Sequence, residues 1–205
     1  IRSAVLTGSG ACGEFSFMQD GIPLRPQGFC NINNLFELNF EQASALEVWR
    51  GPASAVIGGN AMRGAINAVT KIPSSNSVSL EVGPYEFGRL FVEGASITDD
   101  YNLGVSFVGV DSGGYRDETG YGQQKLTANY LTDMNGWRVH NRFSATNLNQ
   151  ETGGYVRGED AYSDSVLRKS NPNPEAYRDA WSARLDSEIS KDAMVVKPYL
   201  RGSNM

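Results

Sequence analysis

The fold class is decided by residues 137–145, which read Trp-Arg-Val-His-Asn-Arg-Phe-Ser-Ala. Successive side chains of a β-strand point to opposite faces, so this stretch separates into an apolar or small set and a polar set. The first set is Trp137, Val139, Phe143 and Ala145, and the second is Arg138, His140, Arg142 and Ser144. The same alternation recurs around Trp181 and Met194. The pattern predicts amphipathic β-strands.

Seven such strands are predicted after residue 76. They cover about 77–84, 86–98, 101–112, 122–133, 136–148, 178–190 and 193–202. Tight turns at 99–100, 134–136 and 191–192 alternate with longer loops at 113–121 and 149–177, and residues 84–85 are a short exception. Long strands with short turns at one end and long loops at the other are typical of an outer-membrane β-barrel. A soluble sandwich has shorter strands without this asymmetry.

Aromatic residues lie near the ends of several predicted strands, namely Tyr101, Tyr130, Trp137 and Trp181. Strands are rich in aromatic residues in any environment. Membrane barrels, however, concentrate such rings in girdles at the two bilayer surfaces. Together with the asymmetry of the loops, their positions favour a membrane-embedded sheet.

The first third of the chain has a different pattern. Residues 14–19 alternate and run into Asp20-Gly21, a hairpin turn. Short helices are predicted within 33–42 and over 52–57, with Pro52 in the first turn and Gly58-Gly59 at the end. Strands are predicted at 46–49 and 65–70. The sequence therefore predicts a small α+β unit at 1–72 and antiparallel barrel strands at 73–205, joined through a linker at 72–76.

Composition excludes several classes of protein. The 205 residues include 18 Lys+Arg and 23 Asp+Glu, a net charge of −5, and 40% are hydrophobic. Nucleic-acid binding calls for a basic patch, which this acidic balance argues against, and the hydrophobic content argues against disorder. The chain begins at Ile1 without a leader and ends on a predicted strand, so we expect an internal piece of a longer protein.

Residues 46–71 carry a long and ordered motif, Leu-Glu-Val-Trp-Arg-Gly-Pro, then a small-residue helix, then Gly-Ala-Ile-Asn-Ala-Val-Thr-Lys. This motif resembles the end of the plug domain of TonB-dependent outer-membrane receptors, and Asp20-Gly21-Ile22-Pro23 resembles their earlier plug hairpin. The resemblance implies a plug inside a 22-stranded transmembrane barrel, of which this chain holds the end of the plug and the first seven or so strands. Outer-membrane transporters with barrels of that size have a plugged lumen.

The resemblance also implies a function. It implies import of a scarce nutrient, foremost a ferric siderophore, across the outer membrane of a Gram-negative bacterium, without enzymatic activity or a resident cofactor. The partners would be the TonB–ExbB–ExbD complex, reached through an upstream segment, a small metal chelate and outer-membrane lipid. Cobalamin and carbohydrate are alternative cargoes.

Arg50 and Glu47 are the candidate contacts between plug and barrel. In the family, the plug arginine at this position pairs with acids of the barrel wall, and a charge inside a barrel needs such a partner. Arg outnumbers Lys by 13 to 5, which suits pairing with carboxylates or an anionic ligand. Candidate ligand contacts lie on the plug tip and on two loops: Arg25, Phe29, Tyr115, Arg116, Tyr155, Arg157 and Tyr162.

Cys12 and Cys30 are the only cysteines. In an oxidising envelope compartment they are expected to form a disulfide. The closed loop of about 18 residues would contribute roughly 3 kcal/mol in the chain-entropy model. The single histidine, His140, lies between two arginines on one strand face, so it is expected to be a polar lumen residue rather than a catalyst. No metal-ligand spacing is present in the sequence.

Two further classes remain as alternatives. Residues 8–13 read Gly-Ser-Gly-Ala-Cys-Gly and match a dinucleotide-binding motif, although that motif needs a helix where this sequence alternates like a strand. A soluble β-rich binding module is the second alternative. It predicts a sheet with a polar outer face, whereas a membrane barrel predicts the reverse.

Overall fold

A computed structural model describes residues 15–24 and 32–205 of the chain. The chain divides into two compact units between Lys71 and Ile72, called unit 1 and unit 2 below. None of the helices in the described residues has the length and apolar character needed to span a bilayer.

Unit 1 is a four-stranded mixed sheet with short helices. Its strands are β1 (Phe15–Gln19), β2 (Ile22–Pro23), β3 (Ala43–Arg50) and β4 (Gly64–Thr70). The order is β2-β1-β4-β3, in which β1 and β4 are parallel and the other pairs are antiparallel. Small apolar clusters form around Met18, Ala61 and Ala65, and around Leu24, Leu38 and Ala68.

The turns and helices of unit 1 follow from a few special residues. Asp20 and Gly21 have φ angles of +56° and +79°, the backbone of a two-residue I′ hairpin, which confirms the predicted turn. Helix α1 (Ser54–Ile57) begins two residues after Pro52 and ends where the Gly58 N–H bonds the Ser54 carbonyl. The helices predicted at 33–42 are 3₁₀ helices, Ile32–Glu37 and Phe40–Gln42.

Unit 2 is one antiparallel sheet of long strands. They are β5 (Ser77–Gly83), β6 (Phe87–Ile97), β7 (Tyr101–Ser112), β8 (Tyr121–Met134), β9 (Trp137–Glu151), β10 (Tyr177–Lys191), β11 (Met194–Val196) and β12 (Tyr199–Asn204). Each strand from β5 to β11 pairs with its neighbours in sequence, and β12 pairs with β10. Within the described residues the sheet does not close on itself, so the 22-strand count stays a prediction.

The last predicted strand, 193–202, was wrong as a single element. It is divided into β11 and β12 at Lys197-Pro198, although the register with β10 continues from Ile189–Val196 to Asp186–Tyr199. Proline has no N–H and removes one bond from the ladder. The Ser187 N–H still donates to the Pro198 carbonyl at 3.0 Å, which keeps the two pieces in line.

The polarity of the two faces of the unit 2 sheet is the reverse of that expected for a sheet in a water-soluble protein. The face that we call the buried face carries mainly polar side chains, with Val108, Val110, Leu148 and Ala180 among them: Ser106, Lys125, Thr127, Asn129, Arg142, Ser144, Thr146, Ser182, Arg184 and Asp186. The face that we call the exposed face carries large apolar ones: Val78, Leu80, Val82, Leu103, Val105, Phe143, Trp181, Leu185 and Leu200. A polar inner face and an apolar outer face are the pattern of a membrane barrel.

The connections place short turns at one end of the sheet and long loops at the other. Residues 98–100, 135–136 and 192–193 join strands at the short-turn end, where Asn135 and Gly136 both have positive φ. Residues 84–86, 113–120 and 152–176 join strands at the long-loop end. The predicted alternation of connection lengths is confirmed.

Candidate functional site

The two longest loops of unit 2, residues 113–120 and 152–176, are bonded to each other. The Arg116 guanidinium donates through Nε and Nη2 to the Ser170 carbonyl, at 3.0 and 2.7 Å. The Asp117 N–H donates to the Lys169 carbonyl at 2.8 Å, and the Asn171 amide donates to the Glu118 carbonyl. These bonds join segments more than fifty residues apart and give the long-loop end a defined shape.

The shortest connection at this end belongs to the same cluster. The Tyr85 and Tyr115 rings meet edge to face with centroids 5.3 Å apart, and the Gly113 N–H donates to the Tyr85 carbonyl at 2.8 Å. Both rings remain partly exposed. All three connections of the long-loop end are therefore linked, and the predicted residues Tyr115 and Arg116 contribute to that link.

A cavity of about 620 Å³ lies within the 152–176 loop. Its lining consists of Gly154, Tyr155, Val156, Arg157, Leu167, Ser170, Pro172 and Asn173. Tyr155 is 93% exposed, and no ion pair to Arg157 is present in the described part of the chain. The cavity therefore offers an aromatic ring and a guanidinium to an anionic or aromatic ligand.

The 152–176 loop also carries an acidic turn. The backbone N–H groups of Leu167 and Val166 donate to the Asp164 carboxylate, each at 2.9 Å, and these bonds lower the pKa of that carboxyl. Asp164 thereby satisfies two N–H groups where the short 3₁₀ helix Leu167–Lys169 begins, close to the Ser170 carbonyl that Arg116 binds. Tyr162, a predicted ligand contact on this loop, is exposed and does not line the cavity.

A cluster of buried charges occupies the buried face on β9 and β10. Asp186 lies between two arginines, with Arg142 Nε at 2.7 Å and Arg184 Nε at 3.1 Å from its two oxygens. Glu188 accepts from Lys197 at 2.9 Å and lies 3.6 Å from Arg142 Nη2. His140 Nε2 lies 3.2 Å from Asn129 Oδ1, in a polar contact on the same face.

In unit 1 a series of polar contacts connects the motif at residues 46–71 with the hairpin turn at Asp20-Gly21. The Asn67 amide donates to Glu47 Oε2 at 2.8 Å, and Asn67 Oδ1 accepts from the Gly21 N–H at 2.9 Å. The Asp20 carboxylate accepts from the Thr70 N–H at 2.8 Å and from the Thr70 hydroxyl at 2.6 Å. Glu47 therefore orients Asn67, a role that differs from the plug–barrel contact predicted for Glu47.

Arg50 lies at the end of β3 and is exposed. In residues 15–24 and 32–205 no carboxylate forms an ion pair with it. Its predicted pairing with the barrel wall stays a prediction. Four other predicted residues, Arg25, Phe29, Cys12 and Cys30, lie outside the described residues, as do residues 8–13.

Comparison with known proteins assigns the fold. No family model and no curated protein matches the sequence. The siderophore receptor PiuA from Acinetobacter baumannii matches with a TM-score of 0.71 at 14% identity, over 94% of this chain and 29% of that chain. The pyoverdine outer-membrane receptor FpvA from Pseudomonas aeruginosa PAO1 matches with a TM-score of 0.71 at 15% identity, over 92% and 30%.

A third match is the ferric-catecholate import receptor Fiu from Escherichia coli K12, with a TM-score of 0.65 at 17% identity over 92% of this chain and 29% of that one. All three proteins are receptors, for a siderophore, for pyoverdine and for import of ferric catecholate, and none is an enzyme. The chain thus has the fold of TonB-dependent siderophore receptors, which confirms the resemblance at the level of the fold. It spans less than a third of their length.

Proposed function

We propose that this chain is part of a Gram-negative outer-membrane receptor that imports a ferric siderophore with energy delivered by TonB. The observation that carries the proposal is the reversed polarity of the unit 2 sheet, which buries Arg142, Arg184 and Asp186 and exposes Phe143 and Leu185. A sheet of this kind is stable where lipid covers the apolar face. The fold shared with siderophore receptors supports the cargo class.

In this proposal residues 1–72 are the end of the plug and residues 73–205 are the first strands of a 22-stranded barrel. The short turns then face the periplasm and the long loops face the outside. Ligand binds among the loops and the plug tip, through residues drawn from Tyr115, Arg116, Tyr155, Arg157, Tyr162, Arg25 and Phe29. Binding biases the plug toward a state that exposes an upstream segment to TonB and its ExbB–ExbD partners.

The cargo is tested by uptake. Cells that lack their own siderophore receptors and produce the complete protein containing this chain are expected to accumulate ⁵⁵Fe from one ferric siderophore, and only when TonB is present. We expect Arg157→Ala to lower the rate about tenfold, since a charge-assisted hydrogen bond to an anionic ligand contributes about 1.5–3 kcal/mol. Arg168→Ala, which changes an exposed arginine of the same loop outside the cavity, is the matched control.

Uptake of cobalamin or of a carbohydrate in place of iron would overturn the cargo while leaving the transport class intact. Iron uptake that persists unchanged without TonB would overturn the energy coupling. Equal rates for wild type and Arg157→Ala would remove Arg157 from the ligand contacts.

The role of Arg50 is tested in the complete protein. We expect Arg50→Ala to perturb uptake or plug stability, because an ion pair between plug and barrel wall is lost and its carboxylate is left buried, at a cost of about 3–5 kcal/mol. Plug release is measured by protease sensitivity and uptake by ⁵⁵Fe. Arg63→Ala, in the turn before β4, is the control. Wild-type values for both measurements in Arg50→Ala would contradict the assigned role.

A further inference from the structure

The exposed face of unit 2 carries almost no basic side chains. Among the residues of β5 to β12, all within the described range, Lys191 is the single cation on that face, since it follows Trp181 and Leu185 at even spacing along β10 and pairs with Met194. The register places every other basic residue of these strands on the buried face: Arg89, Lys125, Arg138, Arg142, Arg178, Arg184 and Arg201. The position of Lys191 therefore calls for an explanation.

Lys191 lies beside an aromatic ring and a cavity. Its Nζ is 5.5 Å from the centroid of the Trp137 ring, within cation–π range. An open cavity of about 620 Å³ at the 192–193 turn is lined by Trp137, Lys191, Asp192, Ala193 and Met194. No carboxylate in the described part of the chain forms an ion pair with Lys191. The ammonium is thus available to an external anion.

The register fixes the depth of this site in a bilayer. Trp181 pairs with Asn147, which is ten residues along β9 from Trp137. Ten residues at about 3.3 Å each, tilted by about 40°, project to about 25 Å, the height of the apolar band of a membrane barrel. Trp137 and Trp181 then mark its two borders, and Lys191 lies at the border on the short-turn side.

The molecule that brings an anion to this depth is a phospholipid. Its phosphate lies at the border of the hydrocarbon, where a lysine amine extends from an apolar surface. Asp192 beside Lys191 adds a negative charge to the same cavity, which complements a headgroup that carries an ammonium next to its phosphate. We infer that Trp137, Lys191 and Asp192 form a binding site for the headgroup of phosphatidylethanolamine, with the phosphate on Lys191 and the ammonium toward Asp192.

This inference rests on the membrane orientation in the proposed function, and its test does not depend on the cargo. The complete receptor is titrated with phosphatidylethanolamine in detergent, and the lipids retained per receptor are counted by native mass spectrometry. We expect Lys191→Gln to weaken retention of the tightest lipid about fivefold, consistent with the contribution of one basic residue at a membrane surface. Lys169→Gln, the same change at the exposed long-loop end, is expected to leave retention unchanged. Asp192→Asn is expected to reduce the preference for phosphatidylethanolamine over phosphatidylglycerol.

Three results would overturn the inference. They are equal retention by wild type and Lys191→Gln, an equal loss in Lys169→Gln, and displacement of the lipid by inorganic phosphate alone, which would indicate a site for a free anion. Heat-modifiable migration on gels verifies that each variant is folded. A receptor that retains the lipid but imports no iron would contradict the cargo alone, whereas import with unchanged lipid retention in Lys191→Gln would contradict this site alone.

Discussion

Replacement of Asp186 by alanine is expected to lower the free energy of unfolding by about 3–5 kcal/mol, because it leaves two buried guanidinium groups without the carboxylate between them. The Asp186 side chain is 0% exposed, and its oxygens lie 2.7 and 3.1 Å from the Nε atoms of Arg142 and Arg184. A buried cluster of charges contributes little more to stability than apolar residues of the same volume would. Removing one member is nevertheless strongly destabilising, because the charges that remain are desolvated and have lost their partner.

The measurement is denaturant-induced unfolding, in detergent, of the complete protein that contains this chain, followed by heat-modifiable migration. Asp99→Ala, in the exposed 98–100 turn, is the control, with an expected change within about 0.5 kcal/mol. A change below about 1 kcal/mol in Asp186→Ala would show that the cluster is hydrated, and would contradict its assignment as a buried charge site.

The Leu185→Arg variant is expected to lose about 2–4 kcal/mol of stability in a membrane, where a charge on the lipid-facing side near the bilayer midplane carries that cost. Leu185 is 52% exposed and pairs with Phe143, close to the midpoint between Trp137 and Asn147 on β9. On the surface of a soluble protein the same substitution changes stability by less than about 0.5 kcal/mol. The variant therefore distinguishes a lipid-covered sheet from a soluble β-rich module.

The Tyr177→Arg variant changes the same face of the same strand at a different depth. Tyr177 lies eight residues from Leu185 on β10, at the long-loop end, and is 71% exposed. The cost there is expected to be at most about 1 kcal/mol, since the cost of a charge falls toward the bilayer surface. Both variants are measured by unfolding, in lipid vesicles, of the complete protein that contains this chain. Equal effects at the two positions would contradict embedding in a bilayer.

The strands of unit 2 could be predicted well because their alternation is strong and local. Trp137, Val139 and Phe143 follow one another at even spacing, and the structure puts them on one side of β9. The hairpin at Asp20-Gly21 was likewise predictable, because a type I′ turn needs positive φ at two consecutive residues and an Asp-Gly pair adopts that conformation readily. The division at Pro198 was missed, because the alternation continues across it and only the missing N–H interrupts the ladder.

The contacts of the candidate site could not be predicted to the same extent. Arg116 binds the backbone carbonyl of Ser170. Every residue has such a carbonyl, so the residue types do not indicate which one is the acceptor. The pairing of Arg142 with Asp186 depends on the register between β9 and β10, which alternation alone does not fix. The motif at residues 46–71 makes Glu47 a candidate, but its partner Asn67 follows only from the pairing of β3 with β4.

The hydrogen bonds that Arg116 makes to Ser170 have a consequence for the kinetics of the proposed ligand binding. A loop that is already ordered loses little conformational entropy when a ligand arrives, so more of the interaction energy is expressed as affinity. In the proposed function, encounter with the ligand then needs no prior folding of the 113–120 and 152–176 loops, which favours rapid association. In that function the same preorganisation also narrows the range of ligand shapes that fit these loops.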